Sequence, residues 1–169
     1  EQLPELADPD YSHRYYVDGS PTVLDARHGE TGTGAWFSLL TSGLGSGGKG
    51  LFALDVTDPT RFSESNASAL SLWEYAPADD AAVFGEEDQQ LGYIYNQPSI
   101  VRMENGRFAV VVGNGYASDA GKASLYILFV DGGAGGRWSN SDVVRLIPSA
   151  ADNSGDNDEN QGINYAGAA

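Results

Sequence analysis

The sequence predicts an all-β protein: a partial, modified β-propeller with two four-stranded antiparallel blades and the start of a third. Three observations carry this expectation. Glycine supplies 22 of 169 residues, well above its usual share of about 7%. Helical periodicity is nearly absent. Eight short apolar runs, each flanked by Gly, Asp, Asn or Pro in the manner of strands, fall into two sets of four that resemble each other.

In chain order the runs are "SPTVLDA" (Ser20–Ala26), "AWFSLLTS" (Ala35–Ser42), "LFALDV" (Leu51–Val56) and "LSLWEY" (Leu70–Tyr75). The second set is "QPSIVRM" (Gln97–Met103), "RFAVVVGN" (Arg107–Asn114), "SLYILFV" (Ser124–Val130) and "DVVRLI" (Asp142–Ile147). Each set opens on a Pro-led strand, Pro21 and Pro98, 77 positions apart. Each continues with a strongly apolar strand that ends in glycine, Gly43 and Gly113. Gly-Lys then precedes an aromatic-bearing third strand, and Leu51 and Leu125 lie 74 positions apart, so the register holds. Four strands per repeat is the mark of a propeller blade, whose apolar face is buried only by stacking on neighbours. The blades span 20–75 and 97–147, and "GINYAGA" from Gly162 opens a third set over 162–169. The repeat exceeds the roughly 40–50 residues of common blades, and the excess is assigned to loops at Ala76–Leu91 and Gly132–Ser141.

"GLGSGGKG" (Gly43–Gly50) has the spacing of a phosphate-binding loop and lacks only the final hydroxyl residue. Such a loop needs a helix behind it, so that backbone N–H groups converge on phosphate. "GLFALDVTDP" follows instead, a strand pattern ending in a turn. The stretch is therefore read as a β-hairpin connection in which Gly43, Gly45, Gly47 and Gly48 supply positive φ angles. No nucleotide is expected.

Net charge is −15, and Lys49 and Lys122 are the only lysines. Nucleic acids and anionic membranes bind through Lys and Arg, so neither is an expected partner; divalent cations or basic protein surfaces suit the charge better. No apolar run approaches the 18 or so residues of a membrane helix, and no membrane insertion is expected. Without cysteine there is neither a disulfide framework nor thiol chemistry. Starting at "EQLPELADPD" and ending at "INYAGAA", the sequence reads as a piece of a longer, processed chain.

Four stretches together resemble one family: "ELADPDYSHRYYVDGSPTV", "GLGSGGKGLFALDVTDP", "LWEY" and "LGYIYNQPSIVRMENGRFAVVVGNGY". They are similar to the C-terminal β-propeller of type IV pilus tip-associated adhesins, the PilC/PilY family of pilus biogenesis factors, from about Glu5 to Tyr126. "HRYYVDGSPTV" together with "NQPSIVRM" and "VVGNGY" is the specific part. The resemblance implies an exported protein that crosses the periplasm to the outer membrane, cell surface or pilus tip. It implies support of pilus assembly and twitching motility, opposition to retraction, and attachment to host or abiotic surfaces. The implied partners are pilins and minor pilins. Calcium, held by an acidic EF-hand-like loop, is the implied ligand.

That loop is not found in these residues. "DNSGDNDENQG" from Asp152 comes nearest: Asp156, Asp158 and Asn160 alternate, but Gln161 replaces the turn glycine and no bidentate Glu follows. Asp152, Asp156 and Asp158 remain calcium candidates against the plainer reading of a solvated loop, and the resemblance places the family's calcium site beyond Ala169. No Arg-Gly-Asp tripeptide occurs.

Other clusters are read plainly. Asp79, Asp80, Glu86, Glu87 and Asp88 sit in the long inter-blade loop and are expected to be exposed. Ser12, His13 and Asp18 are close in sequence, which is no evidence of triad geometry. Trp36 and Trp73 lie on strands and are expected to pack between sheets. Tyr93 and Tyr95, just before a strand, are the candidate partner-contact aromatics. The expected function is non-enzymatic. The alternatives are a quinoprotein-like propeller enzyme, whose axial cofactor two blades cannot enclose, and a propeller scaffold for outer-membrane assembly. Uncovered sheet faces imply marginal stability or self-association, with a poorly ordered tail from Asp152.

Overall fold

The computed structural model describes residues 3–29 and 34–148. Its strands fall within a residue or two of the eight apolar runs. They are β1 (Thr22–Arg27), β2 (Trp36–Gly43), β3 (Leu51–Asp55), β4 (Ser71–Tyr75), β5 (Ser99–Arg102), β6 (Phe108–Gly113), β7 (Leu125–Phe129) and β8 (Val143–Leu146). Two helices join them: a single turn, α1 (Ala67–Leu70), and α2 (Pro77–Phe84). The strands form two antiparallel sheets in the orders β1-β2-β3-β4 and β5-β6-β7-β8. Residues 162–169, assigned to a third blade, and the candidate calcium carboxylates Asp152, Asp156 and Asp158 lie outside the described residues.

Alternation along each strand decides the packing. On the first sheet, Ala26, Phe37, Leu39, Leu51, Ala53, Trp73 and Tyr75 point to one buried face. On the second, Ile100, Phe108, Val110, Val112, Tyr126, Leu128 and Val143 do the same, and all of these join one core cluster. The sheets thus stack face to face. Which faces meet is informative. Gly43 matches Gly113 and Leu51 matches Leu125 in the repeat, so the packed Leu39, Leu51 and Ala53 correspond to Ala109, Leu125 and Ile127. Those three lie on the far side of the second sheet. Conversely, the packed Tyr126 and Leu128 correspond to the half-buried Phe52 and Leu54 on the far side of the first. The stack is head to tail, as blades related by rotation must be.

The seam widens from one edge to the other. At β1 and β5 the chains touch directly: the Thr22 hydroxyl donates to the Pro98 carbonyl at 2.5 Å, and the Gln97 side-chain amide donates to the Pro21 carbonyl at 2.8 Å. At the outer edge the gap is filled by large rings. The Trp73 indole N–H donates to the Val130 carbonyl (3.2 Å) and the Trp138 indole to the Glu74 carbonyl (2.8 Å), each tying one sheet to the other. Trp138 packs edge-on against Trp73 and Tyr75, with ring centroids 5.3 and 4.9 Å apart.

Four expectations need correction. The inter-blade loop contains α2. Pro77 starts it, the Asp79 carboxylate accepts the Ala76 N–H at 2.9 Å, and Gly85 (φ 100°) stops it. Two helical turns are too short to show a period in sequence. Asp80, expected to be exposed with its acidic neighbours, is fully buried on this helix. Trp36 is not buried between the sheets: at the start of β2 it is 58% exposed, with the Arg27 guanidinium 4.6 Å above its ring, and it meets the second sheet through an edge-on contact with Phe108, centroids 6.0 Å apart. In the glycine run, Gly45 has a left-handed φ of 60°, but Gly43, Gly47 and Gly48 do not. Gly43 and Gly47 serve close approach: a Cβ on Gly47 would come 1.6 Å from the Tyr16 carbonyl oxygen, and one on Gly43 2.5 Å from that of Ile94.

Candidate functional site

Two concentrations of polar and aromatic chemistry stand out, one at the surface and one buried. The surface one forms where segment 91–96 crosses the seam. This segment is held between the connections that follow β2 and β6. On one side the Gly45 N–H donates to the Ile94 carbonyl at 3.2 Å. On the other, Tyr93 and Tyr116 exchange N–H to carbonyl bonds of 2.8 and 3.0 Å, as in a one-bridge ladder. Leu91 and Ile94 go into the core, while Tyr93 is half-buried and Tyr95 exposed toward the rim.

The two predicted tyrosines end up differently. Tyr93 is half-buried, with the Lys49 ammonium 5.9 Å from its ring centroid. Lys49 itself pairs with Asp119 at 2.8 Å, so the lysine of the glycine-rich stretch clamps the two connections together, and the strand β3 follows it. Tyr95 is 49% exposed and packs edge-on against Tyr116, itself 37% exposed, with centroids 5.6 Å apart. Ser46 reaches the Tyr95 hydroxyl at 3.4 Å, and the Asp18 carboxylate accepts the Ser46 N–H at 2.6 Å. Asp18 thus anchors the Gly45–Gly47 turn, while His13 lies edge-on to Tyr15 and Ser12 is exposed. Nothing local in the sequence marks Tyr116; its backbone bridge to Tyr93 brings its ring beside Tyr95. Beside it Ala117 has φ 54°, a left-handed conformation uncommon for alanine and of the kind that collects at functional loops.

The buried cluster centres on Asp80. One carboxylate oxygen accepts the Tyr75 hydroxyl at 2.9 Å and the Tyr126 hydroxyl at 2.8 Å; the other accepts the Gln90 N–H at 2.8 Å. The Arg145 guanidinium stands 3.4–3.5 Å from both oxygens, with its face 4.0 Å from the Phe84 ring. Side-chain exposure is 3% for Arg145 and 0% for Asp80. Burial, and then the Asp80 charge, push both tyrosine hydroxyls far above their ordinary pKa, so they stay protonated and donate. Next to it, the Asn114 amide donates to the Gln90 and Lys122 carbonyls and accepts the Ser124 N–H. The Tyr75 and Tyr126 side chains are buried with Asp80 and Arg145, so the whole cluster is withdrawn from solvent. Among the described residues, no group of three or more His, Cys, Asp or Glu side chains is placed to hold a metal ion.

Comparison with known proteins bears on this arrangement. Residues 1–155 match the PilY1 beta-propeller domain family. A type IV pilus biogenesis factor PilY1 homolog of Xylella fastidiosa is 44% identical over 123 residues, which is 73% of this chain and 7% of that protein. The type IV pilus biogenesis factor PilY1 of Pseudomonas aeruginosa is 44% identical over the same share of this chain and 9% of its own length. The crystal structure of the Pseudomonas aeruginosa PilY1 C-terminal domain superposes with a TM-score of 0.57 at 38% identity, covering 80% of this chain and 23% of that one. The chain therefore spans less than a tenth of these full-length relatives. It belongs to the PilY1 β-propeller family.

Proposed function

We propose that this chain is a rigid, non-enzymatic part of a type IV pilus biogenesis factor, and that it meets its partners through the rim formed by Tyr95 and Tyr116. The observation that carries this reading is the pair of exposed rings held side by side on backbone fixed from both sheets. Exposed tyrosines already ordered before contact lose little conformational entropy on binding, which is why such residues dominate interfaces. The surrounding carboxylates, Asp18 and Asp119, suit a partner surface with Lys or Arg. The resemblance supports pilins or minor pilins as partners, a location at the cell surface or pilus tip, attachment to host or abiotic surfaces, and control by calcium held elsewhere in the parent protein.

The test uses the full-length parent protein in its own cell. Tyr95→Ser with Tyr116→Ser should leave protein level unchanged and reduce pilin pull-down, surface pili and twitching at least several-fold. Unchanged pull-down and piliation would reject the rim as the contact. Wild-type piliation, twitching and adhesion after deletion of the parent gene would reject the pilus reading itself, and a quinone absorbance in the purified parent would replace it with the enzyme reading.

A further inference from the structure

The seat that the first sheet offers to the second is chemically marked. At its centre is Asp80, from the helix that leaves the first sheet, and it needs donors from whatever sheet stacks there. The second sheet supplies them from a cross-strand pair: Tyr126 on β7 and Arg145 on β8 are register partners. Their repeat equivalents on the first sheet are Phe52 and Glu74, which are also register partners. A copy of the first sheet in this seat would bring a ring with no hydroxyl and a second negative charge to a buried carboxylate. Removing one partner from a buried charge is strongly destabilising, and a like charge is worse.

We propose that Asp80, read by Tyr126 and Arg145, is a recognition code that admits the second sheet to this seat and refuses a second copy of the first. Apolar stacking alone cannot make this distinction, because Phe52, Leu54 and Leu40 are as hydrophobic as Tyr126, Leu128 and Val110. The discrimination lies in the charge and the hydroxyl. A buried ion pair of this kind contributes more to choosing a partner than to net stability. This inference is independent of the tyrosine rim and of any pilus role.

The test is a cycle of variants in the whole 169-residue chain, followed by urea unfolding, near-ultraviolet circular dichroism of the Trp73–Trp138 cluster and sedimentation velocity. Asp80→Asn alone should lower the unfolding midpoint. Arg145→Glu, which gives the second sheet the charge of the first, should abolish the near-ultraviolet signal, keep the far-ultraviolet β signal and increase oligomers. Adding Asp80→Asn to Arg145→Glu should recover signal and midpoint, so that the same substitution harms the native chain and helps the variant. If Arg145→Glu yields no soluble chain, Arg145→Gln takes its place, and a double variant less impaired than the sum of its singles supports the code. Additive losses in either cycle, or an unchanged midpoint in Arg145→Glu, would overturn it.

Discussion

Asp80 looks like its neighbours in the sequence: one of five acids in a segment of ten, in a chain of net charge −15. What singles it out is Arg145, 65 positions away, and no local pattern carries that pairing. Tyr75 and Tyr126 are likewise legible only as strand aromatics, whereas in the fold each donates to the buried carboxylate. Tyr75→Phe and Tyr126→Phe should each cost about 1.5–3 kcal/mol by urea unfolding, the range for a hydrogen bond to a charged group. The pH dependence follows from the same contacts. A group whose folded pKa is raised contributes stability that is complete below its unfolded value and lost as pH climbs above it. Wild-type stability should therefore fall once pH passes about 10, the tyrosine reference value. The Tyr75→Phe/Tyr126→Phe double variant should start lower and fall less steeply in the same titration. Of the rim, Tyr93 and Tyr95 were legible as aromatics before a Pro-led strand. Tyr116 was not, because its place depends on a backbone bridge across the seam.

Strands were the most legible elements. Each run is short, apolar and bounded by turn residues, and the two sets repeat, so existence and order follow from pattern alone. The connections were least legible. α2 lacks a recognisable apolar stripe because its buried side carries the Asp80 carboxylate as well as Val83 and Phe84. The Gly132–Ser141 segment reads as excess loop, yet it carries Trp138 into the outer seam. A Cβ on Gly133 would lie 2.8 Å from the Trp138 ring, which shows how closely this turn wraps it. Trp138→Ala should destabilise the chain by about 3–5 kcal/mol, the cost of removing a large buried ring. It should also remove much of the near-ultraviolet circular dichroism. A loss under 1 kcal/mol in chemical denaturation would mean that the segment is a dispensable surface loop.

For the whole molecule, the head-to-tail stack leaves an outward face on each sheet. Val23, Leu40, Phe52 and Leu54 lie on one, Val111, Ile127, Val144 and Leu146 on the other, all half-buried or exposed. Because these faces repeat the chemistry of the packed seam, they fit other blades rather than each other's mirror image. The isolated chain should therefore associate in a ladder without a preferred dimer, as heterologous contacts do. Mutual repulsion at net charge −15 opposes this, so sedimentation equilibrium should show association that rises with salt and weakens in Ile127→Asp. A monomer at all salt concentrations would reject it. The wedge of Trp73, Trp138 and α2 has one more consequence. Its thickness, set against the bare contact at β1 and β5, fixes the angular step from each vane to the next. That step decides how many vanes complete a full circle, so trimming or padding these few rings would change the circumference of the whole wheel.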